Sequence, residues 1–394
     1  MLKQFLDLGR QPIANGFLYQ DQIKDEYFFN LGVAFDEETK LVTQTEYVDP
    51  PLMFNDEYVY RGSMSQTMRD HFAEFSDILA GGAFDSPSPK MLEIGSNDGV
   101  FLKNWSPDST IAVEPCGNFA KETTDMGYKT YNKFWDVKLA EQIMLVDGKR
   151  DIIFAANCIC HIPDLDETFK AVNLLLNDNG VFIFEDPSLA EVINNNSYDQ
   201  IYDEHPHIFS VIALDNLLNK QGLEIVKVDN LSVHGGSNRI YAMKKGMALI
   251  DQSVEDNKSY ERVLGLDDFE TFLRFAKRVE QSKEDLVKLL TKCKEEGKKV
   301  ISYGASSKST TIFNYCGIGP ELLSYITDTT PEKQGKLSPG VHIPVISPEQ
   351  GFNETVNFAY LGAWNFIKEI KNKEKEFVLN GGKFITHVPT IQVV

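Results

Sequence analysis

The stretch 90-KMLEIGSNDGVFL-102 decides the fold class. A short apolar run, 90-KMLEIG-95, ends on a glycine and gives way to a polar turn, after which an apolar pattern resumes and opens a helix. Strand, glycine turn and helix in that order begin a βαβ unit. The same alternation continues downstream. Apolar runs at 111-IAVEP-115, 151-DIIFAAN-157, 180-GVFIFEDP-187 and 223-LEIVKVDNL-231 read as strands, with helices between them at 136-DVKLAEQIML-145 and 166-DETFKAVNLLL-176. The block closes on a final strand near 239-RIYAMKK-245. Short apolar strands alternating with helices predict an α/β fold with a parallel sheet.

Outward from this block the chain changes character twice. Residues 1 to about 75 are aromatic-rich, with short β-like runs such as 40-KLVTQTEYV-48 and no helix–strand alternation. From Ser253 to Lys298 the sequence is charged and helical, with one apolar stripe (Phe272, Phe275, Val279, Leu286, Leu289, Leu290) spaced for core packing. A second α/β unit starts at 299-KVISYGASSKSTTIFNYC-316 and runs through 324–347 and 357–366 to the strand-like 383-KFITHVPTIQVV-394. The expected division is therefore 1–75, 76–246 and 247–394, the last including the helical linker.

Composition excludes several function classes. With 58 acidic and 39 basic residues the formal charge is −19, which disfavours nucleic acid and anionic lipid as partners. Five scattered cysteines without a CxxC pair argue against a disulfide framework and a thiolate zinc site. Histidines lack HExxH spacing, no membrane span is visible, and the first residues carry no run of signal-peptide length, so the protein is expected to be cytoplasmic.

The loop 93-EIGSNDGVFL-102 is the first candidate site. Gly95 and Gly99 let the backbone turn sharply and approach a ligand, as a nucleoside requires. Glu114, nineteen residues after Gly95 and at the end of the next strand, has the spacing of a ribose-binding carboxylate. Asp98 inside the loop is unfavourable beside a pyrophosphate but favourable beside a sulfonium or an ammonium. The loop thus favours S-adenosylmethionine over NAD, with Glu93, Gly95, Ser96, Asn97, Asp98, Gly99, Glu114 and Pro115 as cofactor-binding candidates.

A second group follows the later strands. Asn157 and His161 come after 151-DIIFAA-156, and Tyr202, Glu204 and His205 lie in 198-YDQIYDEHPHIFS-210. Ligands in a parallel sheet bind beyond the carboxyl ends of the strands, so these groups face the cofactor crevice. A histidine tuned near neutral pH suits abstraction of a proton beside a carbonyl. His234 and Arg239 in 233-VHGGSNRI-240 belong either to a substrate loop or to a hairpin turn. In 304-GASSKST-310, the backbone amides with Ser306, Ser307 and Lys308 suit a diphosphate, and the absent GxxxxGK[ST] pattern argues against an ATPase. Asp328 either holds a hydroxyl or caps a turn before Pro331.

The ordered set LGRQPIANGFL (8–18), DEYVYRGSMSQ (56–66), EIGSNDG (93–99), EDP (185–187), YDEH (202–205), VHGGSNR (233–239), YGASSKST (303–310), DTTPEKQGKLSPGVHIPV (328–345) and WNF (364–366) resembles the sugar C-methyltransferases of deoxysugar biosynthesis. The resemblance implies a small N-terminal zinc-binding domain, a central Rossmann-like class I domain for S-adenosylmethionine, and a C-terminal Rossmann-like domain, with a nucleotide-linked 4-keto-deoxysugar between the last two. It implies that His205 is the base that removes the proton beside the keto group, that Tyr202, Glu204, Asn157 (also placed near the cofactor) and His161 accompany it, and that one tyrosine of 58-YVYRGS-63 reaches the site. Tyr60 is favoured there over Tyr58.

The sequence departs from that family at one point. No cysteine precedes Cys116, so no zinc is expected, and the N-terminal domain is expected to gain its stability by docking on the central domain. O- or N-methylation of another small sugar-like acceptor, and a catalytically silent binding homologue, are the alternatives to C-methylation.

Overall fold

The structure is a computed structural model that describes residues 1–82, 88–353 and 355–394. Three antiparallel strands begin the chain: β1 (Leu2–Pro12), β2 (Phe28–Asp36) and β3 (Val42–Gln44). The β-like run at 40–48 is thus strand only at its centre. The helix Gln66–Ala80 follows, started by Ser65, whose side chain accepts the Met68 amide.

The central sheet holds β4 (Met91–Ile94), β5 (Thr110–Val113), β6 (Lys129–Tyr131), β7 (Arg150–Ala156) and β8 (Leu176–Pro187). A two-residue strand, β9 (His207–Ile208), precedes its last members, β10 (Leu223–Leu231) and β11 (Ser237–Lys244). Strand order is β10-β11-β8-β7-β4-β5-β6. The run from β8 to β6 is parallel, and β11 is antiparallel to both neighbours. Parallel strands are covered on both faces. Here Val137–Asp147, Leu165–Leu175 and Val211–Lys220 cover one face, and Gln66–Ala80 covers the other through Phe72 and Phe75 against Phe101 and Phe154. The order reverses at β4, so a crevice opens beyond its carboxyl end.

The charged helical region is two helices, Gln252–Leu264 and Phe269–Glu295. Gly265 separates them in the left-handed conformation (φ 75°), with no room for a Cβ beside Thr271. The C-terminal sheet comprises β12 (Lys299–Tyr303), β13 (Ile326–Thr327), β14 (Val345–Ile346), β15 (Val356–Leu361), β16 (Lys383–Thr386) and β17 (Gln392–Val393), in the order β14-β13-β12-β15-β16-β17. Only β17 is antiparallel, so the tail read as one strand folds back on itself.

Docking of the N-terminal sheet differs from expectation. The central segment contributes β9, which pairs with β3 (Val42 opposite Ile208). The apolar face, however, packs on the C-terminal unit: the Phe272 ring lies 5.1 Å from Phe5 and 4.8 Å from Phe35, in one core with Phe275, Ile312 and Tyr360. The stripe on Phe269–Glu295 serves two sheets at once, because both lie on its apolar side. Among the described residues no helix is long and apolar enough to cross a membrane.

Candidate active site

One cavity of about 690 Å³ runs from the carboxyl ends of β4 and β5 to the amino end of the helix Ser307–Cys316. Most of the residues singled out from sequence line it: Glu93, Gly95, Ser96, Asn97, Glu114, Pro115, Asn157, His161, Tyr202, Glu204, His205, His234, Ser306, Ser307, Lys308 and Asp328, together with Tyr60.

At the cofactor end the loop after β4 is held from beneath. Gly95 has φ 69°, and a Cβ there would lie 2.5 Å from Cys158 Sγ, so only glycine fits. Glu114 Oε2 accepts the Asn97 amide (2.7 Å) and Oε1 the Cys116 amide (2.8 Å). Burial pushes the Glu114 carboxyl up against those amides, and it pushes Glu93 well up, with Glu114 and Asp98 adding to the effect. Glu93 Oε2 and Ser96 Oγ are buried without a partner. An acidic, under-satisfied pocket of this kind fits a cationic donor such as S-adenosylmethionine, whose ribose would meet the remaining lone pairs of Glu114.

Two loop assignments need correction. Asp98 and Gly99 do not line the cavity. Asp98 Oδ2 accepts the Ser63 amide (3.2 Å), and Gly99 (φ 74°) packs beside Thr123 and Met126. The turn after Gly95 buries the Asp98 side chain against a strap formed by residues 56–63, with Oδ1 left without a partner. That strap is also tied down by Asp56 on the Gly117 amide, Asn97 on the Tyr60 carbonyl and the Gly62 amide, and Arg61 forked onto Glu122 at 2.8 Å. Nothing local in sequence announced it, because its partners lie 35 to 61 positions away.

At the centre, His205 Nδ1 faces the Gln200 carbonyl (2.8 Å). A carbonyl only accepts, so Nδ1 carries the proton and Nε2 accepts from the Tyr202 hydroxyl at 2.7 Å. Burial, with His161 adding to it, holds the His205 pKa well below the ordinary imidazole value. His161 stacks on His205 at 5.1 Å and on Phe54 at 5.5 Å; burial lowers its pKa to about 3. Cys160, His161 and His205 bring ligand atoms within 4.8 Å of one another. Glu204 accepts Asn15 Nδ2 (2.5 Å) and the Tyr58 hydroxyl (2.8 Å); burial raises its pKa against these bonds. Tyr58, rather than the favoured Tyr60, therefore contacts the acidic member of the cluster. Gln44 Nε2 donates to the Tyr202 and His205 carbonyls, and the Ala14 amide to Asp203. Asn15, Gln44 and Phe54 were missed. Asn15 alone had a signal, since it falls inside the quoted motif LGRQPIANGFL.

Asn157 takes φ 49° and donates its amide to the Glu185 carbonyl, which turns the chain after β7 into the cavity. His234 lines the cavity with Nε2 buried and unpartnered, and burial lowers its pKa to about 3. Arg239 does not reach the cavity. Register places it opposite Glu185 on β8, where its Nε donates to Oε1 (2.6 Å) and its guanidinium covers the Phe75 ring at 3.5 Å. It is a structural ion pair.

At the far end, Ser306 caps the helix Ser307–Cys316 in a capping box with Ser309, and its hydroxyl donates to the Gly362 carbonyl (2.6 Å). Lys308 Nζ lies 3.5 Å from Asn365 Oδ1. Asp328 accepts the Ala305 amide (2.7 Å) and the Thr330 amide (2.8 Å), so it caps the turn before Pro331 while lining the cavity. Lys333, another missed residue, donates to the Ala305 carbonyl (2.7 Å) from a buried position. Burial lowers the pKa of both lysines, against the pull of Asp199 on Lys308 and of Asp328 and Glu204 on Lys333. The cavity is thus acidic at one end and cationic at the other, with an imidazole between.

The chain matches family models along almost its whole length: a zinc binding domain over 1–54, a methyltransferase domain over 60–228 and a C-methyltransferase C-terminal domain over 232–389. The segment matching the zinc-binding model contains neither cysteine nor histidine, and this donor set does not fit a thiolate or imidazole zinc site. Among solved structures, a CurJ carbon methyltransferase is similar with 13% identity and a TM-score of 0.37, over 50% of this chain and 62% of that one. The YcgJ protein of Bacillus subtilis shares 13% identity with a TM-score of 0.36, over 44% of this chain and 98% of that one. C-methyltransferase NovU of Streptomyces niveus is 31% identical over 393 residues, covering 99% of this chain and 93% of its own length. On that full-length match the chain belongs to the S-adenosylmethionine-dependent C-methyltransferase family.

Proposed function

We propose that this C-methyltransferase acts on a ring carbon next to the keto group of a nucleotide-linked 4-keto-deoxysugar, a thymidine diphosphate sugar being the first choice. The observation that carries the reading is the order of chemistry along one cavity: the acidic loop after β4, the Tyr202–His205 pair, then Ser306, Ser307 and Lys308. When bound, S-adenosylmethionine supplies an electrophilic methyl group on a cationic sulfonium. On this reading the three sequence divisions share the work. Residues 76–246 hold the cofactor and the base, 247–394 hold the nucleotide, and 1–75 brace the catalytic loop through Asn15, Gln44 and Tyr58.

His205 Nε2 is the lone pair free to take the ring proton, because Nδ1–H is committed to the Gln200 carbonyl. Tyr202 gives up its hydrogen bond to Nε2 as that proton arrives, and its hydroxyl becomes available to the developing oxyanion. Glu204, held by Asn15 and Tyr58, keeps the loop from shifting. The strap over the cofactor loop excludes water from the enolate. Lys308 and Lys333 supply the charge that a diphosphate needs.

The test is deuterium wash-in at the ring carbon. The enzyme, the keto-sugar nucleotide and S-adenosylhomocysteine are mixed in heavy water, and exchange is followed by NMR. Exchange by wild type and its loss in His205→Asn are expected, with a one-methyl mass gain once the methyl donor replaces its product. Full exchange in His205→Asn would remove the base assignment, and a methyl found on oxygen or nitrogen would remove carbon methylation.

A further inference from the structure

Asp199 is a buried carboxylate that the mechanism above leaves idle. It is fully shielded from solvent, three residues before Tyr202, in the turn Tyr198–Gln200. All its nearest polar partners come from the C-terminal unit. The Trp364 indole N–H donates to Oδ2 at 2.6 Å, and His387 Nε2 lies 3.4 Å from Oδ1. His387 is itself fixed by the Tyr360 hydroxyl on Nδ1 (2.8 Å) and by the edge of Tyr198. Burial works against the charge on Asp199, yet His387, Lys308 and the Trp364 N–H hold its pKa below the ordinary carboxylate value.

Both ends of this contact lead to the active site. On one side the backbone carbonyl of the next residue, Gln200, accepts from His205 Nδ1–H, and its side-chain Nε2 donates to the His234 carbonyl (2.5 Å). On the other side, Trp364 sits in the turn Trp364–Phe366, whose Asn365 and Phe366 line the cationic end beside Lys308. The indole is also closely seated, since a Cβ on Gly235 would lie 2.4 Å from it.

We propose that Asp199 is a positioning residue through which Trp364 and His387 fix the Gln200 carbonyl, and so the aim of the His205 imidazole, making the base productive only when the nucleotide-holding unit is seated. A small misalignment of a reacting group is enough to cost about 10²-fold in rate. The device deepens the proposed function and rests on His205 being the base.

Trp364→Phe keeps an aromatic ring against Gly235 and removes only the N–H. Wash-in is measured for this variant, Asp199→Asn, their double variant and His205→Asn, with KM for the sugar nucleotide and Kd for S-adenosylhomocysteine alongside. The expected result is a fall of about 10- to 100-fold in the wash-in kcat of Trp364→Phe, with KM and Kd unchanged, and a double variant no slower than the slower single one. A wild-type kcat in Trp364→Phe, a change confined to KM, or additive losses in the double variant each overturns the proposal. His387→Phe, which keeps a ring beside Tyr198 and removes both nitrogens that face Asp199 and Tyr360, gives the same kcat-specific loss and serves if Trp364→Phe does not fold. The two readings separate cleanly. Exchange retained in His205→Asn defeats the base assignment whatever Trp364 does, whereas exchange lost there but normal in Trp364→Phe defeats the positioning role alone.

Discussion

The chain builds the same corner twice. After β4 and again after β12, a parallel strand runs into a small-residue loop, and a carboxylate at the end of the neighbouring strand grips that loop. Glu114 bonds the amides of Asn97 and Cys116; Asp328 bonds those of Ala305 and Thr330. In each case one amide belongs to the loop and the other lies two residues beyond the carboxylate. What differs is the filling. The first corner adds Glu93, buried and short of partners, whereas the second adds Lys308 and Lys333. One backbone device thus frames surroundings of opposite charge, and on the proposed reading the side chains around it choose between a sulfonium and a diphosphate.

The largest expected effect that breaks this symmetry comes from Glu114→Ala. It strands the amides of Asn97 and Cys116, the latter buried, and removes the proposed ribose acceptor, so Kd for S-adenosylhomocysteine rises by about 100-fold in calorimetry, with nucleotide affinity unchanged. An unaltered Kd would show that the carboxylate serves the loop alone. Lys308→Met does the converse: KM for the sugar nucleotide rises about tenfold, and the cofactor product binds as before. If both ligands weaken together, the two corners are not independent. Arg61→Ala loosens the strap that only the first corner carries. Arg61 and Glu122 are about one-third exposed, so the loss is small, roughly a two- to fivefold faster release of S-adenosylhomocysteine in stopped flow. The mildest effect lies between the corners. Burial keeps His205 neutral below the ordinary imidazole value of 6.5, so the kcat/KM for wash-in stays flat as pH falls through 6.5 and drops only at lower pH. A half-maximal point at or above 6.5 would mean that the imidazole is not held neutral.

The legibility of these features in sequence follows their locality. Gly95 and Glu114 stand out because a glycine turn and a strand-end carboxylate at fixed spacing follow from βαβ geometry. Tyr202, Glu204 and His205 occupy one short segment between the helix Leu189–Asn195 and β9, so their convergence needed no tertiary information. Arg239 misled because a hairpin and a substrate loop share the same residues. Only the register against β8 sets it opposite Glu185. Asp98 misled because chain position does not give side-chain direction in a tight turn. Asn15 and Lys333 reach the cavity from segments 189 and 28 positions distant from their partners, contacts that no window of sequence contains. The stripe on Phe269–Glu295 is core, as its spacing predicts. That it would cover the N-terminal sheet as well is a property of the assembled units.

The strand β9 has a consequence for how the molecule is made. The N-terminal sheet is closed by Ile208 opposite Val42, and its apolar face by Phe272. At a synthesis rate of about 5–20 residues per second, the first three strands leave the ribosome roughly ten to fifty seconds before the segments that complete them. During that interval β3 is an unpaired edge and Phe5 and Phe35 lack their partner, a period open to chaperone capture or aggregation. The loop that carries Tyr202, Glu204 and His205, tied to those strands through Asn15 and Gln44, is therefore among the last parts to mature.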